Sequence, residues 1–267
     1  MKKEYEITII FPVLNEKDNL NVLIPKFSKE LENYVSNYEL LVIDDNSQDG
    51  TDLLIKDLQK TNKNLSYYKR SSEKSLPMSI FEGTQLAKYQ NVCWLDADGS
   101  MHIDALKSLI DEHEANQSSV VVGSRFAEGG GYKGITDLNN ISFFKVLLNL
   151  RKSNDTVIGM VLSNIFNKFL VRFFNTEVKD ITSGFVIVDK KYLAIDFFNS
   201  AIYGEYFIYM ISNFVKNKIK IIETGYICET RLFGESKTAP SLKVLFIRGI
   251  AYIKAAIICR RDLNENK

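Results

Sequence analysis

The strongest constraint on this chain is the regular alternation of short β-branched runs with helical stretches through its first half. "ITIIFPV" (7–13), "YELLVIDD" (38–45), "LSYYK" (65–69), "VCWLD" (92–96) and "SVVVGS" (119–124) have the composition and length of strands. Residues 18–35, 51–60, 76–89 and 104–113 between them read as helices. Strict alternation of this kind builds βαβ units, so the fold class is α/β: a mostly parallel sheet flanked by helices. In such a sheet, ligands bind in the crevice beyond the carboxyl ends of the strands.

Three of those ends carry polar clusters. Pro12, Asn15 and Glu16 follow the first strand in "FPVLNE", Asp44 and Asp45 follow the second in "DDNSQDGT", and Asp96 and Asp98 follow the fourth in "WLDADGS". Singly, each reads equally well as turn and cap chemistry. Together they point to one ligand that wants several carboxylates. Acids repel a bare phosphate, so they must hold a bridging divalent cation or accept hydrogen bonds from ribose hydroxyls and base N–H groups. An Asp-x-Asp pair suits both tasks, because strand alternation splits the two side chains. No glycine-rich phosphate loop or GxGxxG follows the first strand, which disfavours a dinucleotide cofactor and a P-loop.

Composition narrows the classes further. The 267 residues carry 34 Lys and Arg against 33 Asp and Glu, a formal charge of +1 that gives no basic footprint for nucleic acid. A hydrophobic share of 45% is that of a globular protein. Cys93, Cys228 and Cys259 are scattered, without a CxxC spacing, so neither a disulfide framework nor a zinc site is expected and a reducing cytoplasm fits best. The N-terminal "MKKEYEITIIFPVLNE" reads as a first strand rather than a signal peptide. No apolar run reaches the roughly 20 residues a spanning helix needs. His102 and His113 are isolated, and Trp94 is expected in the sheet core.

"FPVLNE", "VIDDNSQDGT", "WLDADGS", "VVGSRF", "DITSGF" and "RLFGESK" occur in the order found in glycosyltransferase family 2. The set resembles the dolichol-phosphate mannosyltransferase-like branch over about residues 6–240. The resemblance implies a GT-A fold in residues 1–240, with a donor half at about 1–125 and an acceptor half at about 126–240, then a basic apolar C-terminal helix and tail at 241–267. It implies an inverting, metal-dependent hexosyltransferase using Mg²⁺ or Mn²⁺ and a nucleotide-diphosphate sugar such as GDP-mannose or a UDP-hexose. Carried over by motif, Pro12, Asn15 and Glu16 line the base and ribose pocket, and Asp44 or Asp45 hydrogen-bonds the base. Asp96 and Ala97 lie at the ribose, and Asp98 coordinates the metal with Asp96 beside it. Ser100 stands where the branch often has Gln, which leaves the third metal ligand open.

Arg125 ends a strand, where a guanidinium can meet a diphosphate or an acceptor phosphate bidentately. Arg231 and Lys237 of "RLFGESK" are the next cations, and Asp180 and Ser183 of "DITSGF" fall on the acceptor side. Family 2 enzymes that glycosylate hydroxyls offer a Glu-Asp pair in a late helix, the aspartate acting as base. Here "YGEYFIYMI" gives Glu205 followed by Tyr206. A phosphate acceptor is already anionic and needs no base, which favours a polyprenyl or dolichyl phosphate. The alternatives are a sugar hydroxyl in surface polysaccharide synthesis with Glu205 as base, and a non-catalytic nucleotide-sugar-binding scaffold, against which the intact Asp96 and Asp98 argue.

Two further stretches bear on location. "SLKVLFIRGIAYIKAAIICRR" (241–261) has five cations and no acid, and reads either as an interfacial helix on the cytoplasmic face of a membrane or as a core-covering helix or subunit contact; any membrane attachment is then peripheral or through a membrane-anchored partner. "VIGMVLSNIFNKFLVRFF" (157–174) is apolar at helical spacing, and "EGGGYKG" (128–134) reads as a flexible loop.

Overall fold

The computed structural model describes residues 2–116, 119–133, 155–234 and 242–264, with side chains from 163 and 249 onward in the last two segments. The expected alternation is present: β1 (Lys3–Val13), α1 (Lys17–Glu32), β2 (Val35–Asp44), α2 (Thr51–Leu58), β3 (Leu65–Lys69), α3 (Leu76–Leu86), β4 (Asn91–Trp94), α4 (Ile103–Ala115) and β5 (Val120–Ser124). There follow β6 (Gly131–Tyr132), α5 (Asp155–Phe174), β7 (Val186–Asp189), α6 (Ile195–Asn199), α7 (Tyr206–Lys216), β8 (Ile221–Gly225), β9 (Ile227–Cys228) and α8 (Leu242–Asn264).

Seven strands form one sheet in the order β3-β2-β1-β4-β7-β5-β8. All neighbours are parallel except β7, which runs antiparallel between β4 and β5. Both faces are covered, which is why β2 and β5 read as continuous apolar runs. One face packs Leu20, Ile24 and Phe27 of α1 and Leu106, Leu109 and Ile110 of α4 against Ile7, Ile9, Phe11 and Cys93. The other packs Phe207, Met210, Ile211 and Phe214 of α7, with Ala255 and Cys259 of α8, against Ile10, Val92, Trp94 and Val186. Each buried side chain of this size contributes about 1.5–3 kcal/mol, so the frame around the strand ends is stiff.

The chain leaves β1 for β2 on one side and reaches β4 on the other, so the carboxyl ends of β1 and β4 flank a switch point. Part of the stretch expected to be a flexible loop is ordered: β6 pairs with β9 in a small second sheet. Glycine makes this approach possible, since a Cβ on Gly225 would stand 2.0 Å from the Glu128 carbonyl oxygen. Helix α8 buries Ala255, Ala256 and Cys259 and exposes Ile250, Ile253, Ile257 and Ile258, so it is both a core-covering and an outward-facing apolar helix. No helix among the described residues is long and apolar enough to cross a membrane.

Candidate active site at the strand ends

The loops after β1 and β2 lock to each other. Asn15 takes a left-handed φ of 53°, which Asn tolerates. Its amide donates to Ser47 Oγ at 2.8 Å, and its Oδ1 accepts from the Gln48 amide at 2.8 Å. Asp44 is fully buried; Oδ1 accepts from the Ser47 amide and Oδ2 from the Tyr67 hydroxyl, at 2.8 and 2.7 Å. Both carboxylate oxygens of Asp44 are thus engaged in shaping the loop, away from solvent. Asp45 is paired with Arg70 and accepts the Ser75 amide at 2.7 Å. Arg70 also reaches Glu82 at 2.9 Å, Ser72 and Ser79. Arg70 was not singled out in the sequence, although it follows β3 directly and the same strand-end rule points to it.

At the end of β4 the environment is different. Asp98 Oδ1 accepts the Ser100 amide at 2.9 Å, and Oδ2 faces Arg231 Nη2 at 3.1 Å. Arg231 also contacts Glu16 Oε1 at 3.2 Å, so one guanidinium spans the ends of β1 and β4. The segment carrying Arg231 is laid along the turn by backbone bonds from Glu229 to Ser100 and from Leu232 to Asp98, both 2.9 Å. Asn19 then clamps the Phe233 backbone with its side-chain amide. Gly99, at φ 85°, is required here, because a Cβ would meet Leu232 at 2.6 Å. Lys237 lies outside the described residues.

Asp96 opens onto the crevice while protein atoms crowd round its carboxylate. That enclosure, and then the neighbouring Asp98, push its pKa up to about 7. Two adjacent oxygen donors that repel each other fit a hard divalent cation. Among the described residues, no group of three or more His, Cys, Asp or Glu is arranged to hold a metal. The donor set therefore suits an ion completed by substrate phosphates and water, the usual habit of Mg²⁺. Pro12 is half-buried in the same crevice wall, and Ala97 packs into the core, leaving no exposed side chain to face a ligand.

The acceptor-side residues form a second cluster. Arg125 is bound bidentately to the fully buried Asp180, with both bonds 2.8 Å, and its Nη2 also reaches Thr182. Asp180 and its neighbours hold Arg125 firmly charged against the burial of the pair. Ser183 is bonded to the Gly123 carbonyl and accepts the Phe185 amide. Glu205 is buried, and its two oxygens accept the Ile202 and Tyr203 amides at 2.6 and 3.0 Å. Trp94 is in the core as expected, and its Nε1 donates to the Tyr206 hydroxyl at 2.9 Å. His113 is buried against Tyr5, and His102 caps α4.

This fold is that of the GT-A glycosyltransferases. It matches glucosyl-3-phosphoglycerate synthase from Mycobacterium tuberculosis, solved with Mn²⁺, UDP and phosphoglyceric acid, at a TM-score of 0.64 and 14% identity, over 96% of this chain and 78% of that one. The chain belongs to glycosyl transferase family 2, whose profile matches residues 8–195. Curated relatives include the dolichol-phosphate mannosyltransferase of Pyrococcus furiosus, 26% identical over 87% of this chain and 59% of that protein. The poly(ribitol-phosphate) β-N-acetylglucosaminyltransferase TarP of Staphylococcus aureus is 26% identical over 72% of this chain and 60% of that protein. A dolichol-phosphate mannosyltransferase of Mycosarcoma maydis is 29% identical over 46% of this chain and 42% of that protein. The chain thus spans about half the length of these relatives.

Proposed function

We propose that this enzyme transfers a hexose, with inversion, from a nucleotide-diphosphate sugar to the phosphate of a polyprenyl or dolichyl lipid. The observation that carries the reading is Glu205. It is buried and both its oxygens accept backbone amides of its own loop, so it is built into that loop rather than presented to an acceptor hydroxyl. An acceptor phosphate needs no base. Its oxygen attacks the anomeric carbon as the carbon–oxygen bond to the diphosphate breaks, and the electron pair leaves with the nucleoside diphosphate; no proton has to move.

Asp98 and Asp96 would hold a divalent cation, which when bound neutralises charge on the leaving diphosphate. Arg231 sits on the same carboxylate and is free of backbone constraint at its tip, so it can turn from Glu16 and Asp98 to a phosphate oxygen. Arg125 is held by Asp180 through Nε and Nη2, which leaves Nη1 to face an acceptor phosphate. Asn15 and Glu16 would form the nucleoside wall, with Asp45 held behind it by Arg70 and the Ser75 amide. The exposed isoleucines of α8, beside Lys254 and Arg261, support a place on the cytoplasmic surface of an anionic membrane.

The test is transfer from radiolabelled GDP- and UDP-sugars, with Mn²⁺, to undecaprenyl and dolichyl phosphate. A lipid-linked product is expected. The similarity to TarP favours a second reading, a polymer hydroxyl as acceptor; transfer to poly(ribitol phosphate) with no lipid product would establish it and overturn the first. A thermal-shift screen of sugar nucleotides identifies the donor, since a ligand specific to the native state raises Tm.

A further inference from the structure

Tyr206 opens α7 and is buried, with its ring stacked on Phe198 at 5.5 Å. Its oxygen accepts from the Trp94 indole at 2.9 Å. An indole nitrogen only donates, so this bond uses a lone pair of the phenol and leaves its hydrogen uncommitted. Among the described residues, no acceptor is bonded to that hydrogen. A phenol buried to this degree with an idle donor is unusual and calls for a partner that is not part of the chain.

Three features show where that partner would stand. Leu95 and Cys93 point into one core and Trp94 into the other. The same alternation brings Asp96 to the Trp94 side, where its carboxylate acts on the Tyr206 phenol. Gly184 of the "TSGF" turn lies over the hydroxyl: at φ 70° it has no side chain, and a Cβ there would touch the phenol oxygen at 3.4 Å. The hydroxyl thus sits where the Asp96 end of the crevice meets the turn that holds Asp180 and Ser183.

We propose that Tyr206 is a hydrogen-bond donor to the reacting acceptor, giving its one free hydrogen to an anionic oxygen that enters over Gly184. The role is one of selection. A neutral phenol locked as a donor stabilises an acceptor that arrives ionised, such as a phosphate monoester, and cannot take a proton from a hydroxyl. The inference rests on the phosphate-acceptor reading above and names the residue that recognises the phosphate.

Tyr206→Phe and Trp94→Phe each remove the bond between these two side chains, but only the first removes the hydroxyl. With a sugar nucleotide, Mg²⁺ and polyprenyl phosphate, Tyr206→Phe should lower kcat by about 10²-fold with donor KM unchanged. Trp94→Phe should lower it by less than about 3-fold, since the hydroxyl remains. Equal losses in the two variants would show a purely structural bond and overturn the inference. Trp94 is the sole tryptophan of the chain, so it also reports binding without turnover. Inorganic phosphate added to the Mg²⁺–nucleotide complex should shift its emission in the wild type and leave it unchanged in Tyr206→Phe. No shift in the wild type overturns the inference. Failure of lipid transfer with the shift intact overturns the lipid acceptor while leaving the phenol–phosphate contact standing.

Discussion

Two arginine–aspartate pairs stand at neighbouring strand ends and have opposite characters. At β2, Arg70 and Asp45 have side chains only 2% and 8% exposed, and Glu82, Ser72, Ser79 and the Ser75 amide complete the network. At β4, Arg231 meets Asp98 through one contact and shares itself with Glu16, and its side chain is 21% exposed. A closed network is expensive to disturb, because removing either partner strands a buried charge. An open, shared contact costs little to exchange for a cation or a phosphate. Identical residue types thus form a closed tie in one place and an open, shared contact in the other, and the number of partners on the guanidinium and its exposure make the difference.

The sharpest break of this contrast is Asp98→Ala. Transfer should fall on the order of 10³-fold, because the developing charge on the leaving group loses its counter-charge. Stability should fall by no more than about 2 kcal/mol, since one open pair and the bond from the Ser100 amide are lost. Initial rates and denaturant titration on the same preparation read both. A large loss of stability would place Asp98 with the structural ties.

Arg70→Ala should reverse the pattern. Asp45 would keep the Ser75 amide but lose its charge partner, costing about 3 kcal/mol, a fall in Tm on the order of 10 °C. Arg231→Ala, compared in the same buffer, should keep its Tm within about 3 °C while losing roughly 10²-fold in rate. If both variants lose stability alike, the strap of residues 229–233 is part of the frame and not of the chemistry.

The contrast was only half visible before folding. Asp96 and Asp98 are legible as strand-end acids because strand ends in a parallel sheet converge; Asp45 reads the same way, but its carboxylate is paired with Arg70. Asp44 looked identical to Asp45, and both are buried; their partners separate them, Tyr67 and the loop for one and Arg70 for the other. The pairing of Arg231 with Glu16 joins residues 215 apart and depends on the backbone bonds of Glu229 and Leu232, which no local pattern encodes. The strand β7 was missed for a related reason. "VIVD" has strand composition, but its antiparallel place between β4 and β5 is set by tertiary packing rather than by alternation with a helix.

The smallest expected effect is a pH dependence that separates Asp96 from the structural carboxylates. Its pKa is raised to about 7 by the enclosing protein and by Asp98, so the folded, ligand-free protein holds this proton more tightly than the unfolded chain does. The stabilising contribution is complete below the ordinary carboxylate range near 4 and is lost as pH rises through about 7. A bound cation requires the carboxylate, so binding must release the proton below that point. Mn²⁺ affinity in the presence of nucleotide should rise by up to about tenfold per pH unit between pH 5 and 7 and level off above. Calorimetry in buffers of different ionisation enthalpy counts the proton directly. Asp96→Asn should flatten the pH dependence of cation binding and, without cation, melt above the wild type at pH 8 but level with it at pH 4. A variant that melts below the wild type at pH 8 would show that Asp96 is paired in the ligand-free crevice and would move it to the closed side of the comparison.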